Sequence, residues 1–259
     1  MKNVRKSPEP EELKNYREQY SSQFRRWTGR KSKNGKKKEK GLTSDSKTFN
    51  AIRDTLFADQ KGLCAYCEMK LRENNRSVEH FIPRNQSTKE NNYDLDWQNM
   101  LAICLPPGGM KDDDLENPQL LKDLPCCGKK KDGFIPDGRL LNPLNLPTLR
   151  LFKFSSLTGE IRPDEKACED SCIPIENVQF TIDTLELNVQ RLKDQRLVVI
   201  DFINKELDDE MIDINDLEEK VAVEYFGDGT DNWPRFFTTL RWVLGAGAEK
   251  HLTNISYSG

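Results

Sequence analysis

Two short strings in this 259-residue chain carry groups able to do chemistry at neutral pH: Cys64-Ala65-Tyr66-Cys67, and Ser77-Val78-Glu79-His80-Phe81-Ile82-Pro83-Arg84. Two cysteines three apart suit a zinc knuckle. The same spacing also serves dithiol redox chemistry when it opens a helix after a buried strand, or it is a pair of inert thiols. Here the pair follows a helix-like run and precedes a hairpin-like one, which is the knuckle position. A structural zinc needs two further ligands, and Cys104 with Cys126 or Cys127 is the nearby second half. The 21 residues between Cys104 and Cys126 must then loop out. A site of this kind contributes on the order of 10–16 kcal/mol of folding free energy, enough to hold a hairpin and helix with little core of their own. Cys168 and Cys172 read as structural thiols.

Between the two cysteine halves Glu79 precedes His80. The chain has two histidines, His80 and His251, so a histidine-based mechanism has essentially one candidate. A neutral imidazole can take a proton near pH 7. A lone histidine is more often a packing residue. His80 departs from that pattern by its carboxylate neighbour, its place on a strand between thiol pairs, and the following Trp97-Gln98-Asn99, which offers a second polar ligand.

The elements that must position these groups follow from periodicity. Leu13, Tyr16, Tyr20, Phe24 and Trp27 describe an amphipathic helix behind an acidic first turn, and Ser46 to Gln60 a second helix that stops at Lys61-Gly62. Met69 and Leu71, a polar turn at 73–76, and Val78 to Ile82 predict strand, turn, strand. Residues 94–104 return to helical or loop-helix spacing, and 106–139 form a long irregular insertion. A short β-like stretch around Leu149 to Phe154 turns at Thr158-Gly159-Glu160. Ile175 to Lys205 reads as helical, with Arg191, Lys193 and Arg196 exposed, and residues 212–250 add one or two helices.

Charge is unevenly spread. The chain carries a net charge of −3, yet residues 1–41 hold fourteen Lys or Arg against five Glu, with a basic run from Arg30 to Lys40. Such an arm suits contact with a phosphate backbone, by counterion release, or is a solvated loop. An acidic stretch runs from Glu206 to Glu219. No run approaches the roughly 18 apolar residues of a membrane span, and no apolar leader follows Met1, so a cytoplasmic protein is expected. Seven clustered cysteines in a reducing compartment are metal ligands or free thiols rather than a disulfide framework.

Taken together, Cys-Ala-Tyr-Cys-Glu (64–68), Glu-His-Phe-Ile-Pro (79–83), Asp-Trp-Gln-Asn-Met-Leu (96–101) with Cys104, Cys127-Gly-Lys-Lys-Lys and Leu-Asn-Pro-Leu (141–144) resemble the HNH, or ββα-metal, endonuclease superfamily. More narrowly they resemble the group that includes PtuB, the nuclease subunit of the Septu anti-phage system, also found in retron operons. The resemblance covers residues 50 to 160. It implies an α+β fold, a zinc-braced ββα-metal core in a mostly helical chain; the chain then divides into an N-terminal helix and basic linker (1–45), whose apolar face docks a partner or packs on its own domain, that core (46–160), and a helical C-terminal region (161–259). It implies His80 as general base, Glu79 as ligand of a catalytic Mg²⁺ or Mn²⁺, Asn99 as a second ligand of that ion or as the residue that orders the ββα loop, and Cys64, Cys67, Cys104 and Cys127 around a structural Zn²⁺. The implied partners are DNA, or RNA for a ribonuclease toxin, a PtuA-like ATPase of ABC/SMC type, and a retron reverse transcriptase–msDNA complex. No membrane is involved. One departure stands out: the superfamily's third signature position, a His or Asn beside the last cysteine, is Gly128 here. Asp96 is a candidate replacement ligand, and Lys129, Lys130 and Lys131 candidates to clamp phosphate. A zinc-stabilised binding module without catalysis is the competing expectation.

Overall fold

Five consecutive apolar residues, Met-Leu-Ala-Ile-Cys at 100–104, are buried along their whole length and form a strand rather than a helix. In the computed structural model, which describes residues 1–21, 23–29, 40–73, 75–105, 125–208 and 214–259, this strand (β2, Met100–Cys104) pairs antiparallel with Arg76–His80 (β1). The register sets Glu79 opposite Leu101 and His80 opposite Met100. Residues 30–39 of the basic run, 106–124 of the insertion and 209–213 of the acidic stretch lie outside the described residues.

Two sequence expectations are corrected here. The partner of β1 is not Met69–Leu71, and residues 100–104 are not helical. A short unbroken apolar run has no period of its own, so strand and helix look alike until a partner is found. The segment expected as the first strand is instead taken up by the cysteine turn, closed by one bridge between Leu63 and Lys70 and by Glu68 in the left-handed region (φ 61°). The free edge of β2 is filled by a side chain. Buried Gln60 accepts the Ala102 amide at 2.7 Å and donates Nε2–H to the carbonyls of Ala102 (2.7 Å) and Leu63 (2.8 Å).

Helix α1 (Glu11–Gln19) buries Leu13 and Tyr16 and packs on α2 (Ser46–Asp59), whose start is capped by Asp45 accepting the Thr48 amide. The expected single helix out to Trp27 ends eight residues earlier, and Trp27 reaches the core from the segment beyond it. Residues 4–7 strap the β1–β2 region: Lys6 lies over the Trp97 ring and donates to the Met100 carbonyl, while Trp97 Nε1 donates to the Ser7 carbonyl.

After the short helix α3 (Cys127–Lys131), β3 (Phe152–Phe154) and β4 (Ile161–Pro163) make a hairpin around the expected 158–160 turn. The remainder is helical: α4 (Glu165–Asp170), α5 (Ile175–Thr184), α6 (Gln190–Glu206), α7 (Ile214–Phe226), α8 (Phe237–Val243) and α9 (Gly245–Asn254). The helix expected over 175–205 is broken at 185–189, because Asn188 uses both ends of its amide on the Ile161 backbone and the Leu185 carbonyl accepts the Cys127 amide. Arg196, expected exposed, is buried; its guanidinium donates to the carbonyls of Leu187 and Gly159. The outer face of α6 instead carries Val198 and Phe202, each more than half exposed. Helices and two small antiparallel sheets make this an α+β protein. Among the described residues no helix is long and apolar enough to cross a membrane.

Candidate active site and metal centre

Cys64 and Cys67 sit in a tight turn in which the Cys64 amide donates to the Met69 carbonyl and the Glu68 amide to the Cys64 carbonyl. Cys104 ends β2, and Cys127 opens α3. These four buried thiols converge, with all Sγ atoms within 4.8 Å of one another. Cys64 and Cys127 are 3.9 Å apart at Sγ, and Cys67 and Cys104 3.7 Å. Four sulfurs each about 2.3 Å from a tetrahedral zinc would stand about 3.8 Å apart, so donor set and spacing both fit such an ion. Cys126, left open against Cys127 by the sequence, is not one of those four but adjoins them: its sulfur is 3.3 Å from that of Cys127, also meets those of Cys104 and Cys67, and accepts a hydrogen bond from Arg191. Cys168 is buried in α4 and Cys172 is exposed, both outside the group of four.

Strand alternation sends Glu79 and His80 to opposite faces of β1. The His80 ring is buried against Trp27, and its Nε2 lies 3.0 Å from the carbonyl oxygen of Asp94. A neutral imidazole donating there keeps Nδ1 as the unprotonated nitrogen. Burial lowers its pKa to about 3, opposed by the Asp94 carbonyl and assisted by the positive charges of Arg84, Lys131 and Lys6. Asp94 is itself fixed, its carboxylate accepting the Trp27 amide and its own amide donating to Ser87 Oγ.

Glu79 faces α3. Its Oε1 is 2.9 Å from Nζ of Lys131, whose side chain is fully buried and also donates to the His80 carbonyl at 3.3 Å. Burial raises the Glu79 carboxyl pKa, with Lys131 working against that rise. Its other oxygen packs on Gly128, where an added Cβ would come within 2.7 Å of Oε2 and collide with Ile103.

No protein-family model matches the chain. Over 169 residues it is 34% identical to an Escherichia coli protein named "Retron Ec83 putative HNH endonuclease". The likeness is to a protein carrying an HNH endonuclease name. It takes in 57% of this chain and 64% of that relative's own length.

The remaining predicted site residues fall differently. Asn99 is spent on the backbone: Oδ1 accepts the Ile82 amide at 2.7 Å, and Nδ2 donates to the carbonyls of Ile82 and Tyr93, both at 2.9 Å. These bonds order the loop after His80. Asp96 caps the 97–99 turn through the Gln98 amide. Of the three lysines expected to clamp phosphate, Lys131 is buried on Glu79, Lys130 pairs with Glu186 at 3.0 Å and Lys129 is exposed. Sequence reading missed Gln60 and Trp27 as parts of the site, and it gave Lys131 a phosphate rather than Glu79 as its partner. For Lys131 a signal existed: four residues after Cys127 in a helix it returns to the same face.

Proposed function

We propose that this chain is a metal-dependent HNH endonuclease that hydrolyses phosphodiester bonds, with DNA as its substrate. The observation that carries the reading is the end of β1. There His80 is held as the neutral tautomer by the Asp94 carbonyl, next in sequence to Glu79, on a strand pair braced by four converging thiols. An antiparallel pair followed by a short helix agrees with a ββα arrangement, and the name of the Escherichia coli relative supports the same class.

In this reading His80 Nδ1 takes the proton of the attacking water. The buried imidazole is a weak base while the site is empty; a phosphate anion brought beside it raises its proton affinity. Asn99 keeps the loop after His80 in place. Glu79 is the carboxylate for an Mg²⁺ or Mn²⁺ ion, which when bound supplies positive charge for the phosphate and the leaving oxygen. The cysteine quartet holds Zn²⁺ as a structural brace. The wider setting, an anti-phage system of Septu or retron type with a PtuA-like ATPase and a reverse transcriptase–msDNA complex as partners, is drawn from the motif resemblance and, for the retron, from the relative's name.

The test is nicking of supercoiled plasmid, and cleavage of total RNA, by the full chain in Mg²⁺ or Mn²⁺ with and without the ATPase, comparing wild type with His80→Ala. Metal-dependent plasmid cleavage lost in a folded His80→Ala variant is the expected result. Cleavage of RNA alone would make it a ribonuclease. Inert protein under every condition, with zinc still bound, would favour the binding-module reading that the burial of His80 beneath Trp27 also accommodates.

A further inference from the structure

We infer that Lys131 is the positioning residue of this site: it fixes the Glu79 carboxylate and couples it to the four-cysteine centre, so that a divalent cation reaching Glu79 meets an ammonium already paired with it. The inference rests on the reading of Glu79 as the ion-binding carboxylate.

Three observations converge. The Lys131 side chain is fully buried, so its ammonium cannot touch a substrate phosphate from where it stands, and its action must pass through its neighbours. Those neighbours are Glu79 Oε1 at 2.9 Å and the His80 carbonyl at 3.3 Å, so one amine spans both residues at the end of β1. Gly128 acts on the other side of the carboxylate. Its missing side chain is the space that Glu79 Oε2 occupies, and a Cβ there would drive Glu79 away. The carboxylate is thus gripped by charge at one oxygen and by close backbone packing at the other.

Both grips belong to α3, which begins with the thiol of Cys127 and ends with Lys131. The Cys127 amide is anchored on the Leu185 carbonyl, and Cys127 Sγ is one of the converging four. A single helical turn therefore links the metal-holding sulfur to the ammonium, and the position of one sets the position of the other.

Removing the ammonium has two opposite effects. A positive charge beside a ligand oxygen repels an arriving cation, so its loss strengthens binding of the ion. The same loss lets the carboxylate swing, and misplacement of a catalytic group slows turnover.

The test uses the full chain as wild type, Lys131→Met, Lys131→Arg and Glu79→Gln. Zinc content is measured for each, Mn²⁺ affinity from the electron paramagnetic resonance of free Mn²⁺, and plasmid cleavage as a function of Mn²⁺. The expected result for Lys131→Met is zinc retained, Mn²⁺ bound about threefold or more tightly, and cleavage at saturating Mn²⁺ slowed about tenfold or more. Lys131→Arg, which keeps the charge, restores wild-type affinity and part of the rate. Unchanged affinity and rate in Lys131→Met, with Glu79→Gln abolishing Mn²⁺ binding, would overturn the role of Lys131 and leave the assignment of Glu79 standing. Zinc lost from both lysine variants would also overturn it, reducing Lys131 to a folding residue. Mn²⁺ bound by Glu79→Gln as tightly as by wild type would remove the ion-binding assignment of Glu79, and the inference with it.

Discussion

The rings of Trp27 and His80 meet with centroids 4.9 Å apart and planes inclined by 77°, so the proposed base is roofed by a side chain some fifty residues earlier in the chain. The roof and the ring share an anchor: the Trp27 amide donates to Asp94, the residue whose carbonyl faces the His80 ring. Trp27→Ala should bring water to the imidazole and move its pKa from about 3 back towards its ordinary 6.5. Loss of so large a buried ring should cost about 3–5 kcal/mol of stability. The ring C–H resonances of the two histidines, followed by NMR against pH, check this, with His251 as internal reference. A His80 titration indifferent to Trp27 would place the cause of its burial elsewhere.

Acid should destabilise the protein through His80. In the native state the ring stays neutral down to about 3, whereas an unfolded histidine protonates near 6.5. Between these values the unfolded chain binds the extra proton. The stability that neutral His80 contributes is therefore intact above about 6.5 and is lost as pH falls towards 3, by about 1.4 kcal/mol per pH unit. Urea denaturation at pH 7.5, 6 and 5 should show wild type losing more than His80→Gln, whose amide still donates to Asp94. Parallel losses would mean that other groups, the thiols foremost, carry the acid sensitivity.

The cysteine centre should hold one zinc ion per chain. Cys64→Ser, Cys67→Ser, Cys104→Ser and Cys127→Ser should each lose it and melt well below wild type, since binding free energy of this kind is folding free energy. Cys126→Ser and Cys172→Ser should keep it, because neither belongs to the group of four. Elemental analysis with calorimetry decides. Zinc lost on changing Cys126 but kept on changing Cys127 would exchange their places.

Gln60 stands in for a missing strand, and Gln60→Leu should show its worth. The Ala102 amide would lose its acceptor and the Leu63 carbonyl a donor, while the Ala102 carbonyl would keep the bond from the Ala65 amide. About 1–3 kcal/mol is expected for each buried polar group left unsatisfied. Hydrogen exchange at Ala102 should quicken with the loss in stability. An unchanged Ala102 amide would mean that water or a neighbour replaces the glutamine.

What the sequence determined by itself is local chemistry. Cys-x-x-Cys needs only a turn to present two thiols, the apolar spacing from Ser46 onwards winds α2, and the turn at 158–160 reverses β3 into β4, so these features were legible from neighbouring residues. Glu79 and His80 were legible as residue types at one place, but not as side chains leaving β1 on opposite faces. Tertiary structure decided everything that depends on a distant partner. The all-apolar run 100–104 became a strand because β1 and Gln60 satisfy its two edges, the 185–189 break became necessary because β4 and α3 bond to it, and Arg196 went inside because two carbonyls there accept its protons. Asn99 was visible as a polar group, and only the fold showed its amide consumed by backbone. The physical reason is common to all of these. Periodicity and caps report energies between near neighbours, whereas a buried polar group settles wherever its hydrogen bonds are met, and that place is set by chain segments tens of residues away.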